Sequence, residues 1–322
     1  MLGDGIEHRR FYELPDLLAP GDVLVLNETR VIPARIFGER VPGGGSAELL
    51  LLHPAQSARY DPAAVRWIAL ARPGRRVRAG QRVSFGELGD AIVVAEFEKG
   101  RREIVLELRV SLPELLDRIG RMPLPPYVRN DSPEAQERYQ TVFARVPGSV
   151  AAPTASLHFT PELLAELERR GVELVRISLD VGLGTFRPIS RERIDEHAMH
   201  AEAYAIEPGA AEALERARRS GRRIVAAGTT VVRALEGNLR SNGLVAAGRY
   251  ETDLFVTPGF DFGIVGGLIT NFHLPRSTLL VLVSAFAGRR RVLDAYAQAA
   301  LLRYRFYSFG DAMLVWRGAA AG

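Results

Sequence analysis

The hydrophobic pattern of this sequence changes near Ser111, and that change limits the folds that the chain can adopt. Before it, residues 31–110 contain short runs rich in apolar and β-branched residues, separated by turn residues such as Pro73 and Gly74. No convincing helical period is visible there, so we predict a small antiparallel β-barrel. The predicted strands include Ala47–Leu52, Val65–Ala71, Ala91–Phe97 and Arg102–Val110.

After Ser111, predicted helices and strands alternate. Ser111 is placed to cap one helix, and Thr160, followed by Pro161, is placed to cap another that ends at Gly171. The predicted strands are Asp22–Leu26, Val172–Leu179 and Ile224–Ala227. Such alternation is typical of an α/β fold with a mainly parallel sheet flanked by helices.

The first strand, Asp22–Leu26, is expected to join that sheet, which would make the barrel an insertion. We therefore predict a discontinuous α/β domain at 1–31 and 111–322, which carries the ligand site, and an inserted barrel domain at 32–110.

The composition excludes several classes of protein. The 322-residue chain contains no cysteine, which excludes disulfides and thiolate metal sites and makes a cytoplasmic protein the expectation. The mainly apolar run Leu279–Ala287 is shorter than the ~20 residues that a membrane-spanning helix needs, so we predict a buried helix there.

Arginine supplies almost all of the positive charge, because Lys99 is the only lysine. Guanidinium groups suit phosphate, and a basic stripe suits RNA. Solvated helix faces and turns explain the same clusters, so a nucleic-acid partner is permitted and not required. The clusters are Arg72, Arg75, Arg76, Arg78 and Arg82; Arg216, Arg218, Arg219, Arg222 and Arg223; and Arg289–Arg291.

Residues Tyr139–Thr160, YQTVFARVPGSVAAPTASLHFT, match neither a regular helix nor a plain strand. Pro147 and Pro153 interrupt the run, because proline lacks a backbone donor. A long irregular segment that keeps apolar anchors often serves a functional site, although an ordered connector explains it equally well. We expect this segment to link the barrel to the resumed sheet, with the junction shaped by Tyr139, Arg145, Ser149, Thr154, Ser156 and His158.

One candidate ligand site is the turn Gly228-Thr229-Thr230, between a predicted strand and a predicted helix. Backbone amides and hydroxyls at a helix start can hold a carboxylate or phosphate, and Arg233 could add a charged fork. Ordinary capping by Thr230 is the alternative.

A second candidate is the segment DVGLGTF, which follows the strand Val172–Leu179. Ligands of open α/β sheets bind beyond the carboxyl ends of strands. Gly182 and Gly184 would let a ligand approach the backbone, and Asp180 could bind ribose hydroxyls or a cation. A simple glycine-rich turn is the alternative.

Three further motifs contain side chains that could bind or react. His197 and His200 in HAMHAE would share a helix face and could offer two metal ligands, or they could contact substrate. The motif TNFHLP from Thr270 is expected to form a buried polar loop. The stiff segment PLPPYVR could present Tyr127 for stacking and Arg129 for phosphate, or serve only as a connector.

Together these motifs resemble the S-adenosylmethionine:tRNA ribosyltransferase-isomerase family of queuosine biosynthesis. One block is weak, but eight collinear blocks over nearly the whole chain make the resemblance specific. The blocks are GDVLVLNETRVIPARIFG from Gly21, MPLPPYVR from Met122, YQTVFARVPGSVAAPTASLHF from Tyr139, VGLGTFRP from Val181, HAMHAE from His197, AAGTTVVRALE from Ala226, LITNFHLPRSTLLVLVSAFAG from Leu268, and YRFYSFGDAML from Tyr304.

The resemblance implies transfer of the ribosyl moiety of S-adenosylmethionine, and not of its methyl group, to the aminomethyl-deazaguanine at the wobble position of tRNA. Isomerisation then gives epoxyqueuosine-tRNA, with release of adenine and methionine. We accordingly expect a monomer whose partners are this tRNA and S-adenosylmethionine, with no membrane, no metal and no cofactor, because S-adenosylmethionine is consumed as a co-substrate.

This chemistry needs a general base for a C–H bond beside the sulfonium, a donor to the departing purine and an anion site for the methionine carboxylate. The candidate catalytic residues are His158, His197, His200 and His273. The candidate substrate-binding residues are Tyr127, Arg129, Tyr139, Arg145, Thr154, Ser156, Asp180, Gly182, Gly184, Thr185, Glu202, Gly228, Thr229, Thr230, Arg233 and Asn271.

Three features depart from the pattern of the family. Its members usually have further residues before the point where Met1 stands, so the start was assigned late or a sheet-edge element is absent here. Asp180 stands where the family more often has His, and Gly266 where an Asp commonly precedes LITNFHLP; both are expected beside ligand-binding loops. The alternatives are a metal-dependent hydrolase that uses His197 and His200, and a catalytically inactive tRNA-binding relative.

Overall fold

The computed structural model describes residues 1–2, 5–55, 61–63, 65–125, 128, 132–182, 194, 199 and 201–317. Contacts between Cα atoms divide the chain into two compact units. The sheet unit comprises Met1–Thr29, Thr141–Arg145 and Ala152–Gly322, and the barrel unit comprises Arg30–Gln140 and Val146–Ala151. Residues 111–140 thus group with the barrel, whereas the predicted insertion ended at residue 110; the predicted domain limits stay a prediction.

The strands of the described residues, in chain order, are β1 Val23–Asn27, β2 Thr29–Val31, β3 Arg35–Val41, β4 Ser46–Pro54, β5 Arg66–Arg72, β6 Arg82–Ser84, β7 Gly89–Glu96, β8 Arg101–Leu108, β9 Val146–Ser149, β10 Glu173–Leu179, β11 Glu202–Ile206, β12 Ile224–Ala227, β13 Gly248–Thr252, β14 Gly267–Asn271 and β15 Ala312–Trp316. The α-helices are α1 Leu14–Leu17, α2 Leu112–Ile119, α3 Pro133–Arg138, α4 Pro161–Arg169, α5 Pro208–Arg219, α6 Thr229–Asn242, α7 Thr278–Ala287 and α8 Arg289–Leu301. Short 3₁₀ helices occupy Phe11–Glu13, Gly86–Leu88, Glu98–Gly100 and Thr154–His158.

The sheet unit is built on a seven-stranded sheet with the order β13-β11-β10-β1-β12-β14-β15. Its four central strands, β10, β1, β12 and β14, are parallel. The outer strands β11, β13 and β15 pair antiparallel at the two edges. The predicted α/β class is therefore confirmed. The first strand of the chain joins the sheet, as expected, and it lies at the centre.

The predicted helix starts are confirmed by their caps. The hydroxyl of Ser111 accepts a hydrogen bond from the amide of Glu114, and that of Thr160 accepts one from the amide of Leu163. Ser277 caps α7 in the same way. Each such cap satisfies an amide that has no partner within its helix and contributes about 1 kcal/mol.

The core beside β1 forms because helix and strand periods place apolar residues together. Leu24 and Leu26, two positions apart on β1, share one hydrophobic cluster with Leu163, Leu164 and Leu167 of α4. Full burial of each such side chain contributes about 1.5–3 kcal/mol. All five residues of β1 are buried, which is typical of a strand covered on both faces.

The barrel unit contains a closed antiparallel barrel with the order β3-β4-β5-β8-β7-β6, which confirms the predicted fold of this region. Residues alternate along its strands: Arg102, Ile104 and Leu106 of β8 are buried, while their neighbours are more exposed. Leu49 and Trp67 are almost completely buried in the same unit. The interior is therefore filled by side chains, as in other small barrels.

Two barrel strands were not predicted. The sequence of β3, RIFGERV, is half polar, and β6 has only three residues. At Gly38 of β3, an added Cβ would lie 2.6 Å from the carbonyl oxygen of Ser84. Glycine thus allows β3 and β6 to approach closely, which a pattern of apolar residues does not reveal.

The irregular segment Tyr139–Thr160 contains two short elements. Tyr139 is fully buried and follows α3, and β9 pairs with β2 in a two-stranded sheet. The 3₁₀ helix Thr154–His158 comes next, and Thr160 caps α4. Along this segment the chain passes from the barrel unit to the sheet unit twice.

Across the described ranges, the longest helices do not reach the length and apolar character that crossing a membrane requires.

Candidate ligand site at the carboxyl ends of the central strands

A small cavity of about 30 Å³ lies at the carboxyl ends of β10, β12 and β14. Open α/β sheets bind ligands at the carboxyl ends of their strands. Such a volume accepts one or two water molecules, so the cavity can receive a single functional group of a ligand. Its walls are formed by Ala152, Pro153, Thr154, Ala155, Val181, Gly228, Thr229, Thr230, Thr270, Asn271, His273 and Leu279.

The start of α6 forms one wall of this cavity. Gly228, with φ of +107°, is the N-cap residue of α6, and no side-chain capping bond is made there. The alternative of capping by Thr230 therefore does not apply. The first amides of a helix have no partner within it and carry a partial positive charge. Thr229 and Thr230 are buried and add two hydroxyl groups, so this wall can bind an anionic oxygen.

Arg233 does not line the cavity. Its guanidinium is 2% exposed and donates through Nη1 to Oε2 of Glu202. Nε and Nη2 donate to the carbonyls of Leu254 and Thr252, at 2.9 and 3.2 Å. In this buried arrangement the guanidinium of Arg233 binds other parts of the protein, whereas the sequence had suggested that it would bind a ligand.

Glu202 connects the same ion pair to the cavity. Its second oxygen, Oε1, accepts a hydrogen bond of 3.4 Å from the amide of Gly182. Val181, the preceding residue, is a cavity wall. Glu202 thus contacts the turn after β10 and is not among the described residues that line the cavity.

A chain of hydrogen bonds leads from the cavity to His158. Thr154 Oγ1 donates to Asn271 Oδ1 at 3.0 Å, and Asn271 Nδ2 lies 3.4 Å from His158 Nε2. The ring of Phe11 stacks on the imidazole at 5.0 Å. Burial lowers the pKa of His158; the nearby Asp311 raises it to a smaller extent, and Arg305 lowers it further. The imidazole is therefore neutral at neutral pH.

His273 lines the cavity and is held on two sides. Its Nε2 lies 2.7 Å from Thr270 Oγ1, and its backbone amide donates to the hydroxyl of Tyr296 at 2.7 Å. Burial lowers the pKa of His273 to about 4 and raises that of Tyr296 to about 12. His273 is thus a neutral group that can accept or donate a proton in a hydrogen bond, and Tyr296 keeps its proton.

Asp180 lies where the sequence predicted, directly after β10. Its Oδ1 accepts from the hydroxyl of Thr29 at 3.5 Å, and its amide donates to Ala203 at 2.9 Å. The buried Asn27 fixes this edge, because its side chain donates to the carbonyl of Leu179 at 3.0 Å and accepts from the amide of Leu179 at 2.9 Å. We did not predict Asn27; an amide that ends a fully apolar strand is the signal that could have found it.

Several predicted residues are not among the residues that line the cavity. Arg145 makes two bonds with the buried Glu28, of 3.1 and 2.8 Å, beside a separate cavity of about 690 Å³. Tyr139 belongs to the barrel unit. Ser156 is completely buried, and its hydroxyl has no hydrogen-bond partner among the described residues. Tyr127, Arg129, Gly184, Thr185, His197 and His200 lie outside the described residues.

Gly266 is at the opposite end of the sheet from the cavity, because it precedes β14. A Cβ at this position would lie 3.2 Å from Cγ of Arg223, whose guanidinium is bound to Asp22. The departure at Gly266 therefore concerns a charged cluster at the amino ends of the strands and not a ligand-binding loop.

In the described part of the chain, no group of three His, Cys, Asp or Glu side chains is arranged to hold a metal ion. The two histidines of the metal-dependent hydrolase hypothesis, His197 and His200, are outside that part.

Comparison with known proteins identifies relatives over almost the whole length. A family model described as queuosine biosynthesis protein matches residues 2–315. A protein of Moorella thermoacetica named S-adenosylmethionine:tRNA ribosyltransferase-isomerase is 50% identical over 97% of this chain and 90% of its own length. One of the same name from Rubrobacter xylanophilus is 53% identical over 98% of this chain and 88% of its own.

A solved structure agrees with these relatives. It is the crystal structure of S-adenosylmethionine tRNA ribosyltransferase from Thermotoga maritima, which is 35% identical to this chain and superposes with a TM-score of 0.50. The match covers 97% of this chain and 88% of that one.

Proposed function

Because the chain belongs to the queuosine biosynthesis protein family, we propose that it is an S-adenosylmethionine:tRNA ribosyltransferase-isomerase. It transfers the ribosyl moiety of S-adenosylmethionine to the aminomethyl-deazaguanine at the wobble position of tRNA. Isomerisation of that moiety gives epoxyqueuosine-tRNA, and adenine and methionine are released. S-adenosylmethionine is consumed as a co-substrate, and no further cofactor takes part.

The observation that carries this proposal is the cavity at the carboxyl ends of β10, β12 and β14. Its wall of helix amides and threonine hydroxyls suits a carboxylate, and its volume fits one such group. We assign this wall to the methionine carboxylate of S-adenosylmethionine. Asp180, at the same edge of the sheet, is assigned to ribose hydroxyls.

The neutral histidines supply the proton chemistry of the proposal. A sulfonium acidifies its neighbouring C–H bonds, so a base near it can remove a proton. His273 lines the cavity, and His158 is connected to it through Asn271. Both are unprotonated at neutral pH and can accept a proton, which supports them as candidates; His197 and His200 remain candidates from the sequence.

The other predicted contacts stay part of the proposal. Glu202 and Arg233 act as positioning residues, and Thr154 and Asn271 orient His158. Substrate contacts in the irregular segments and the turn after β10 are proposed for Tyr127, Arg129, Tyr139, Arg145, Ser156, Gly182, Gly184 and Thr185.

The activity is tested by incubating the purified protein with S-adenosylmethionine and tRNA that carries the precursor base, and by measuring adenine. We expect adenine release that requires both substrates. Tight binding of tRNA without adenine release would contradict the proposal and identify an inactive tRNA-binding relative.

The carboxylate site is tested at Thr230, one of the cavity walls. Thr230→Val keeps the shape and removes the hydroxyl, whereas Thr230→Ser keeps the hydroxyl. A hydrogen bond to a charged group contributes about 1.5–3 kcal/mol, so we expect Thr230→Val to raise KM for S-adenosylmethionine at least tenfold. Thr230→Ser should stay close to wild type. Equal KM values for the two variants would remove Thr230 from the site.

We also propose that the protein is a cytoplasmic monomer. The absence of cysteine is in keeping with a reducing compartment. Light scattering coupled to size-exclusion chromatography tests the monomer, and a mass of twice the 35.4 kDa chain would contradict it.

A further inference from the structure

The arginine clusters found in the sequence differ in how they are neutralised. In the cluster at the end of α5, every arginine is close to a carboxylate. Arg218 and Arg219 contact Glu215, Arg216 and Arg222 contact Glu173, and Arg223 contacts Asp22. Each guanidinium of this cluster is thus held by a carboxylate of the sheet unit, and its charge is partly compensated.

The arginines in the barrel loop between β5 and β6 are not neutralised in this way. Arg75, Arg76 and Arg78 are exposed, and none lies within 4.0 Å of a carboxylate oxygen in the described ranges. One nearby acid, Glu96, is bound to Arg102 at 3.2 Å. This loop, residues 73–81, therefore presents three guanidinium groups without counter-charges.

Buried groups hold this loop in a fixed shape. Val77, in the middle of the loop, is completely buried. Arg102, 7% exposed, donates from Nε to the carbonyl of Val77 at 2.9 Å and from Nη2 to that of Gly74 at 3.0 Å. The amide of Ala79 donates to Glu96 at 3.2 Å. The exposed arginines thus stand on an ordered base, and less entropy is lost when a partner binds them.

The surface of the loop is concave. A cavity of about 510 Å³ is lined by Gly74, Arg75, Arg78, Glu96, Gly100 and Arg102. Guanidinium groups on the rim of a polar hollow suit phosphate oxygens, which they bind with paired hydrogen bonds.

We propose that loop 73–81 of the barrel is a docking surface for the sugar-phosphate backbone of RNA. The inference rests on the proposed function, which makes tRNA a substrate. Its contacts are to phosphates, so the surface adds affinity and orientation and reads no base sequence. Binding releases counterions from the RNA, which makes the affinity depend steeply on salt.

The test compares two variants of the full chain that lose the same charge. The loop variant is Arg75→Gln/Arg76→Gln/Arg78→Gln. The control variant is Arg169→Gln/Arg216→Gln/Arg219→Gln, whose arginines are 72, 63 and 70% exposed but are paired with carboxylates. The probe is a tRNA transcript, and the dissociation constant is measured from 50 to 300 mM salt.

We expect the loop variant to bind roughly 10- to 100-fold more weakly at 0.1 M salt, with a plot of log affinity against log salt that is shallower by about 2–3. The control should lose less than threefold, and melting temperatures should stay within a few degrees. Equal losses in both variants would show that only net charge matters and would overturn the proposal. Unchanged binding by the loop variant would overturn it as well.

Two further measurements separate this inference from others. If the loop variant lost binding to vesicles of phosphatidylserine and phosphatidylcholine while its tRNA affinity stayed unchanged, the surface would serve a membrane, and the RNA proposal would be wrong. Adenine release by the wild type is measured independently. If the wild type released no adenine, the proposed function would be wrong. The comparison of tRNA affinities would still show whether loop 73–81 binds RNA.

Discussion

At the scale of single residues, the described residues that line the cavity present groups without charge. Two partly buried imidazoles, a chain of threonine and asparagine side chains, and helix amides face or support it. Burying a charge without a partner is costly, so the two histidines are neutral in the folded protein. Preorganised neutral dipoles of this kind can stabilise charge that develops during a reaction.

His273 makes the stability of the protein depend on pH. Its pKa is lowered to about 4 by burial, while in the unfolded chain it is near 6.5. As the pH falls below the unfolded pKa, the unfolded state binds a proton that the folded state does not, so stability decreases between pH 6.5 and 4. Between pH 7 and 5 this histidine should remove about 2 kcal/mol.

The measurement is urea unfolding of wild type and His273→Gln at both pH values. The variant should be less stable at pH 7 but should lose less on acidification. The same pH dependence in both proteins would mean that His273 titrates normally in the folded state.

Single residues also show how far the site could be predicted from the sequence. Gly228, Thr229 and Thr230 lie at the cavity because a strand end, a glycine and a helix start are all local signals. Arg233 has no such signal: its role depends on Glu202, which is 31 positions away in the chain but forms an ion pair with it. Contacts between residues that are distant in the sequence cannot be predicted from the local spacing of residues.

At the scale of elements, α6 connects three parts of the sheet unit. Its first turn forms the cavity wall, and Arg233 ties it to β11 and to the end of β13. One turn later, the buried Glu236 accepts hydrogen bonds from the amides of Gly263, Ile264 and Val265, just before β14. A movement of this helix would therefore disturb the cavity and both flanking segments.

The Glu202–Arg233 pair should be needed for stability as a pair. Glu202→Gln leaves a buried guanidinium without its counter-charge, which costs about 3–5 kcal/mol. Glu202→Met/Arg233→Met removes both charges and should recover most of that loss. The amide of Gly182 still lacks its partner in the double variant, so we expect KM for S-adenosylmethionine to stay raised.

Urea unfolding and steady-state kinetics check these expectations. Glu166→Gln is the control, because Glu166 and Arg169 form a surface pair that contributes at most about 1 kcal/mol. If the double variant were as unstable as Glu202→Gln, or if its KM were normal, the positioning role would be refuted.

Elements with local signals were predicted better than those without them. Helices α2 and α4 start at the capping residues that the sequence indicated. The half-polar β3 and the three-residue β6 were missed, because their pairing comes from closure of the barrel and not from their own composition. Closure is a property of six strands together, and no single run of residues encodes it.

At the scale of the whole molecule, each compact unit contains one of the two tryptophans. Trp67 is 1% exposed inside the barrel unit. Trp316 ends β15 in the sheet unit, where the guanidinium of Arg223 lies 4.1 Å from its ring. The fluorescence of each tryptophan therefore reports on one unit.

Because the chain divides into two compact units, we expect the units to unfold at different urea concentrations. Trp316→Phe leaves the barrel reporter, and Trp67→Phe leaves the sheet reporter. The two midpoints, each compared with circular dichroism of the same variant, should differ. Coincident transitions in both variants would show that the molecule unfolds as one cooperative body.

The uncharged lining of the cavity has a consequence for how the enzyme could be studied. S-adenosylmethionine carries a sulfonium, an ammonium group and a carboxylate, so its net charge is small compared with that of tRNA. The described residues that line the cavity offer its carboxylate amides, hydroxyls and a neutral imidazole, so its binding should displace few ions. RNA binding, in contrast, is driven largely by ion release. Raising the ionic strength should therefore weaken tRNA binding while S-adenosylmethionine stays bound. The order in which the two substrates bind can then be determined on the unmodified protein.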